Sequence, residues 1–327
     1  MIESVQFRNF RILQDTTLPL GLLTLIVGAN GSGKSTAMQA LHAVACPRKW
    51  KLQQIVTAGL QPLETATVEV ILHWGKPHEW VTTTAHWDYG AARVTGGPEI
   101  QDVHAQLTKL RIYTFDAAAI TAPVHLEHKI ELREDGGHLA GVLDRLRDEE
   151  PERFEALNEE LGRWLPEFDH ILFDTPDSGR RAFLLRTRKG HHKIPANDLS
   201  HGILFALTVL TLTYLPAPPP IICLEEPDRG IHPRLLRRIQ DALYRLSYPE
   251  NFGETRQPVQ ILATTHSPYF LDLFKDHPEE IVIAHKVGQE ARFERLSDQP
   301  AIAEILGDAP LGEIWYSGIL GGVPVEP

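Results

Sequence analysis

The chain has 327 residues, 43% of them hydrophobic, and a formal net charge of −11. That length suits one large domain or two modest ones, and the negative balance excludes nucleic-acid binding driven by overall charge, leaving only local basic patches for that role. Cys46 and Cys223 form no metal-ligand cluster and point to a reducing compartment; the opening Met1-Ile-Glu-Ser-Val lacks signal-peptide character and no apolar run reaches the roughly 18 residues of a membrane span, so a cytoplasmic protein with no membrane partner is expected.

Ile2, Val5 and Phe7 predict a first strand, followed by Asn9-Phe10-Arg11, and residues 13–20 pair back as a hairpin. Arg8 and Arg11 read either as solvated charges or as contacts to a nucleotide's base or phosphates. Leu22, Leu23, Leu25, Ile26 and Val27 form the next strand, and Thr36 to Ala45 a helix with Met38, Leu41 and Ala45 available to pack. Between them, Gly28-Ala-Asn-Gly-Ser-Gly-Lys34-Ser35-Thr36 fits the G-x-x-x-x-G-K-[ST] phosphate-binding loop in the strand–loop–helix setting the motif requires. Glycines such as Gly31 and Gly33 let the backbone turn tightly around phosphate, and the N–H groups of Asn30 to Thr36 face the anion at the helix start. Lys34 reaches the β/γ-phosphates of ATP and Ser35 holds Mg²⁺.

Arg48, Lys49, Trp50 and Lys51 make a basic–aromatic cluster, either a solvated surface or a nucleic-acid contact. Thr67 to Trp74 alternates as a strand, Trp80 to Trp87 reads as its neighbour, Gly96-Gly97-Pro98 as a turn and Arg111 to Phe115 as a further strand, together an antiparallel lobe. Leu139, Val142, Leu143 and Leu146 recur at helical spacing, and Phe154, Leu157, Leu161, Trp164 and Leu165 repeat the pattern after Pro151. Neither helix is long enough for an extended coiled coil. Ile171 to Phe173 and Ala182 to Arg186 read as strands. Arg186, Arg188, Lys189, His191, His192 and Lys193 follow as a second basic run, a charged hairpin tip or else a phosphate or nucleic-acid contact.

Leu199-Ser200-His201-Gly202-Ile203 opens a helix that is apolar nearly all round and therefore buried. Ser200 and Gly202 either cap that helix or offer a hydroxyl and open backbone to an anion. The apolar strand Ile221 to Leu224 runs into Glu225-Glu226. A strand buried on both faces ending in two acids points to a metal and a water: Glu225 helps hold hydrated Mg²⁺ and Glu226 orients or deprotonates the attacking water. Residues 227–233 turn into a helix striped by Leu235, Leu236, Ile239, Leu243 and Leu246. Val259 to Ala263 is a strand, and His266 emerges beyond its C-terminal end, where open α/β sheets bind ligands; a neutral imidazole there can hydrogen-bond phosphate or water. Ile281 to Ala284 is a further strand.

In this order the motifs resemble an ATP-binding cassette ATPase of the RecF/SMC type, most closely the ATPase part of OLD-family proteins. Phe7 to Arg11 matches the family's opening strand, Gly28 to Ser35 its Walker A motif, and Leu199 to Gly202 its signature motif. Leu224 to Pro227 with Gly230 to Pro233 matches Walker B and the D-loop, and Thr265 to Pro268 the switch histidine. His201 and Ile203 depart from the usual signature residues, and neither Gln101 nor Gln106 is assigned as a Q-loop glutamine. The resemblance implies an α/β P-loop NTPase of ABC/SMC-like type, with a mixed central sheet, an antiparallel lobe and a helical insertion. Its implied divisions are residues 1–130 (first lobe), 131–195 (insertion), 196–300 (second lobe) and 301–327 (tail). It further implies an ATP- and Mg²⁺-dependent homodimer in which Ser200 and Gly202 of one subunit complete the phosphate site of the other, with Lys34, Glu226 and His266 carrying catalysis and Arg11 touching nucleotide. The stretch after His266 is short for the nuclease domain of full OLD proteins, so an effector or nuclease on a separate chain is expected, with DNA as a candidate ligand and phage defence or repair as the setting. A nucleotide-sensing scaffold without turnover is the alternative, and a transport ATPase subunit a third.

Overall fold

Fifteen strands are formed among the described residues of the computed structural model, which describes all of the chain except residues 61, 63, 90, 98, 99, 178, 301, 303–306, 308 and 322–327. In chain order they are β1 (Ile2–Phe10), β2 (Leu13–Pro19), β3 (Leu23–Gly28), β4 (Val68–Trp74), β5 (Thr82–Trp87), β6 (Ala92–Thr95), β7 (Arg111–Tyr113), β8 (Val124–His125), β9 (Phe168–Asp174), β10 (Arg180–Thr187), β11 (Lys193–Pro195), β12 (Ile221–Leu224), β13 (Gln260–Thr265), β14 (Ile281–Val287) and β15 (Glu290–Arg295). The chain divides into two units, one of Met1–Ile112, Pro219–Leu224 and Ser247–Pro327, the other of Tyr113–Pro218 and Glu225–Leu246.

The first unit holds two sheets. One runs β2-β1-β4-β5-β6, antiparallel throughout. Its alternating strands turn Ile2, Val5, Phe7, Val68, Val70, Leu72, Ala85 and Trp87 into the core and leave the other face polar. On that open face Arg8 meets Glu69 across the strands at 3.0 Å, and His86 Nδ1 lies 3.3 Å from the same carboxylate, so Arg8 is a cross-strand ion pair. The other sheet has the order β15-β14-β3-β13-β12-β7. β14, β3, β13 and β12 are parallel, and β3, β13 and β12 are buried along their whole length. This explains the apolar runs Leu25 to Val27 in β3, Ile221 to Leu224 in β12 and Ile261 to Ala263 in β13, since both faces of a covered parallel sheet need apolar side chains. Gln260 joins the sheets: its buried side chain accepts from Ile2 N (2.8 Å) and donates to Ile2 O (2.6 Å) and Gly21 O (2.9 Å). Helix α1 (Lys34–Ala45) buries Ala37, Met38, Leu41 and Val44 in this core, and α2 (Leu52–Ile55) adds Leu52 and Ile55.

Sequence periodicity overlooks α3 (Gln101–Thr108), which buries only Val103 and Leu107 and so carries too little apolar signal. Gln101 and Gln106 both sit on this helix. The strand expected from Trp80 starts instead at Thr82, because Trp80 is 76% exposed. The predicted turn at Gly96-Gly97-Pro98 has positive φ at Gly96 and Gly97, while Pro98 lies outside the described residues, as does part of the predicted tail.

In the second unit, α4 (Ala117–Thr121) is followed by α5 (Leu139–Glu149) and α6 (Pro151–Trp164), which pack against the β9–β10 hairpin and bury Leu143, Leu146, Phe154 and Leu157; the Phe154 and Phe173 rings meet at 5.9 Å. Asp144, buried on α5, is held by Arg147 at 3.0 Å and Arg181 at 3.2 Å, so its charge is paired rather than stranded. Helix α7 (His201–Tyr214) is buried from Leu204 to Tyr214, and Thr208 and Thr211 satisfy their hydroxyls by donating to the carbonyls of Leu204 and Leu207, both at 2.8 Å. Helix α8 (Pro233–Ser247) turns Leu236, Ile239, Leu243 and Leu246 inward; at 15 residues it is the longest among the described residues, so no coiled-coil arm is built there. The first unit closes with α9 (Pro268–Asp272) and α10 (Leu311–Tyr316). No helix among the described residues is long and apolar enough to cross a membrane.

Candidate nucleotide site

The loop from Gly28 to Lys34 leaves the C-terminal end of β3 and enters α1. Three of its glycines have separate reasons to be glycine. A Cβ on Gly28 would stand 2.4 Å from Ala284 O of the neighbouring strand, and one on Gly33, at φ +100°, would stand 2.8 Å from the Ala291 methyl. Gly31, at φ +74°, faces open space, so its requirement is conformational, a backbone turn that exposes successive N–H groups. Lys34 is only 5% exposed; its Nζ donates to Gly28 O and Ala29 O, both at 2.8 Å. The ammonium is therefore held inside the loop by the loop's own carbonyls. Ser35 and Asn30 are exposed and Thr36 half-buried. Ser32, which sequence reading passes over, is 1% exposed and its Oγ has no hydrogen-bond partner among the described residues.

β13, parallel to β3, ends at Thr265, and His266 follows at the same sheet edge. Its backbone is fixed from the C-terminal side: Ser267 N donates to Thr265 Oγ1 (2.9 Å), and Ser267 Oγ accepts from Phe270 N (3.2 Å) to cap α9. Arg11 is already engaged. Its guanidinium donates to Gln54 O (3.1 Å) and to Gln39 Oε1 on α1, and lies 5.6 Å from the centre of the Trp50 ring. Trp50 thus belongs with Arg11, while Arg48, Lys49 and Lys51 beside it are exposed.

In the second unit, Glu225 and Glu226 follow the last residue of β12 and lie beyond the strand in a turn. Glu225 N donates to Tyr113 O (2.9 Å), and the Glu225 carboxylate accepts from Thr114 Oγ1 at 2.7 Å. Glu226 adopts φ +46°, a left-handed conformation costing a non-glycine residue roughly 1–3 kcal/mol, and its carbonyl accepts from Arg229 N at 2.9 Å. Such a cost at an acidic residue points to a placed side chain. Ser200 caps α7, accepting from Ile203 N at 3.4 Å. A Cβ on Gly202 would meet Gly230 O at 2.4 Å, so glycine at 202 is required by backbone contact inside this unit, independent of any ligand. Gly202→Ala is expected to cost about 1–3 kcal/mol through that overlap, read as a lowered Tm; a variant melting like wild type would show that Gly230 moves aside freely.

The second basic run divides on inspection. Arg186 pairs bidentately with Asp169 (2.8 and 3.1 Å), a hydrogen-bonded contact that holds the Asp169 carboxyl below its usual range, and Arg188 donates to the carbonyls of Pro166 and Phe168. Lys189, His191, His192 and Lys193 are left exposed around the hairpin tip. Among the described residues no group of three or more His, Cys, Asp or Glu side chains could hold a metal ion by itself. The Ser35 hydroxyl in the first unit and the Glu225 carboxylate in the second are each a hard oxygen donor, the ligand type that Mg²⁺ prefers.

A family model described as "AAA domain, putative AbiEii toxin, Type IV TA system" matches residues 68–272. The chain belongs to this AAA-domain family. A second model, described as "AAA ATPase domain", matches residues 1–66 of the same AAA-domain protein, the stretch with the phosphate loop. The OLD nuclease of Thermus scotoductus (strain ATCC 700910 / SA-01) is 23% identical to it over 353 residues, covering 87% of this chain and 64% of the relative; the chain thus spans less than two thirds of that protein. Among solved structures, an SMC head bound to the C-winged helix domain of ScpA superposes with a TM-score of 0.65 at 15% identity, covering 92% of this chain and 99% of that one. The SMC head domain from Thermotoga maritima gives 0.52 at 16%, covering 90% and 98%. An Smc head with an extended coiled coil, bound to the C-terminal domain of ScpA derived from Pyrococcus furiosus, gives 0.59 at 12%, covering 90% and 95%. At these identities the likeness shows the fold, that of an ABC-type SMC head.

Proposed function

We propose that this chain binds ATP with Mg²⁺ and hydrolyses it in the cytoplasm, and that bound ATP closes two copies into a dimer that gates a DNA-associated or effector complex in phage defence or DNA repair. The observation that carries the reading is the Lys34 ammonium held within a loop whose Gly31 and Gly33 have positive φ. In this reading the Lys34 ammonium and the N–H groups from Asn30 to Thr36 bind the β/γ-phosphates, and Arg11 contacts the nucleotide. Ser35 and Glu225 hold Mg²⁺, which supplies charge neutralisation on the phosphates when bound. Glu226 takes the proton of the attacking water, and the His266 imidazole hydrogen-bonds the γ-phosphate or that water. Ser200 and Gly202 of the partner copy complete the phosphate contacts. The effector, a nuclease or another enzyme, sits on a separate chain. The name of the OLD relative supports a nuclease, and the ScpA domains bound to two SMC heads support a docked partner.

Phosphate release and light scattering after size exclusion test the reading together. Hydrolysis of Mg²⁺–ATP and a doubled mass in ATP but not in ADP are expected. Bound nucleotide without turnover and without a change of mass would instead support a nucleotide-sensing scaffold.

A further inference from the structure

Thr114 stands where β7 ends, and its backbone is fixed on both sides. Tyr113 O accepts from Glu225 N and Thr114 N donates to Glu134 O, each at 2.9 Å; two residues on, Asp116 N donates to Asp135 O, also at 2.9 Å. Phe115 O, between them, accepts from the Arg229 guanidinium at 2.6 Å, and that guanidinium lies 5.3 Å from the Phe205 ring centre of α7. None of these bonds requires a hydroxyl at position 114, because each meets residues 113–116 at a backbone N–H or C=O. The Thr114 hydroxyl nevertheless donates to Glu225 Oε2 at 2.7 Å, a short and charge-assisted contact. Threonine is stiff about χ1, so a fixed backbone presents its Oγ1 at a fixed place.

We propose that Thr114 is a positioning residue for the metal, fixing the Glu225 carboxylate and helping to order the cation's water shell. This rests on the reading that Glu225 serves Mg²⁺. Thr114 has one hydroxyl proton and donates it to Oε2; Oε1 and the lone pairs on Thr114 Oγ1 stay available, the first to a cation or its waters and the second to accept from such a water. Asp116, the other polar side chain of this segment, is already used as the cap of α4, its carboxylate accepting from Ala119 N at 2.8 Å.

Thr114→Val keeps the shape and removes the hydroxyl, while Thr114→Ser keeps the hydroxyl and removes a methyl. Mn²⁺ affinity is measured by EPR of free Mn²⁺, with the full chain and saturating non-hydrolysable ATP analogue. Thr114→Val is expected to weaken Mn²⁺ binding about ten-fold, the low end of outer-shell effects because Thr114 is exposed. Thr114→Ser is expected within about two-fold of wild type by the same measure, and nucleotide affinity in EDTA should be equal in all three proteins. Wild-type Mn²⁺ affinity in the valine variant overturns the proposal, and so does an equal loss in the serine variant, which would mean that packing and not the hydroxyl matters. Wild type that takes up no Mn²⁺ with nucleotide refutes the reading of Glu225 itself and removes the basis of the proposal with it. Matched thermal melts establish that each variant is folded.

Discussion

Lys34→Ala is expected to weaken ATP binding by about a hundred-fold, roughly the 3 kcal/mol at the upper end for a hydrogen bond to a charged group. The loss is large because the ammonium is buried rather than waving in solvent: at 5% exposure it meets an anion in a medium less screened than water. Gly28 O and Ala29 O hold Nζ inside the loop, both at 2.8 Å, so the charge stands at a fixed place. Alanine removes the charge and leaves two loop carbonyls without their donor, while the turns at Gly31 and Gly33 do not depend on the lysine. The loop should keep its course and lose its attraction for phosphate. Arginine would not restore it, since a planar fork cannot occupy the place of a compact point charge. Equilibrium binding of fluorescent ATP, beside a melting curve, decides the matter; unchanged affinity in a folded variant would sink the assignment of residues 28–36.

The phosphate loop was legible because every local signal there agreed. The buried strand, the glycines, the lysine and the helix pattern stand in one contiguous run, and contiguous patterns are what a sequence displays. The same holds for α5, α6, α7 and α8, whose apolar spacing survives into buried faces. What sequence could not show depends on contacts between distant residues. Thr114 and Glu225 are 111 positions apart, and neither carries a local mark of the other. Gly202 reads as open backbone for an anion, yet its contact with Gly230 already demands a glycine. The members of the second basic run look alike in sequence, but Arg186 and Arg188 are hydrogen-bonded within the protein while Lys189 and Lys193 extend around the exposed hairpin tip. Short elements such as α3 were invisible for a different reason: two buried side chains are too few to set a period.

Glu226→Gln should slow ATP hydrolysis by at least about a hundred-fold, the lower range for a lost general base, with ATP affinity unchanged, and should accumulate an ATP-bound dimer. Lys34 and Ser35 need nothing from the Glu226 carboxylate to bind nucleotide. Glutamine has nearly the same size and, like glutamate, must bear the φ of +46°, so the turn from Glu226 to Arg229 has no new reason to move. What disappears is the basicity that takes a proton from water. If closure of two copies requires an intact γ-phosphate under Ser200 of the partner, slow turnover prolongs closure. Adding Ser200→Arg should then dissolve the dimer by placing a bulky cation at the interface. It also removes the α7 cap, worth about 1 kcal/mol, so the double variant must be shown folded by its melt at the working temperature. Light scattering after size exclusion with ATP, ADP or no nucleotide reads all of this. A Glu226→Gln protein that stays monomeric in saturating ATP removes the shared-site mechanism, and one that hydrolyses at the wild-type rate removes Glu226 as the base. A dimer of equal strength with ADP or without nucleotide would favour the scaffold, because nucleotide would then not be what drives the two copies together.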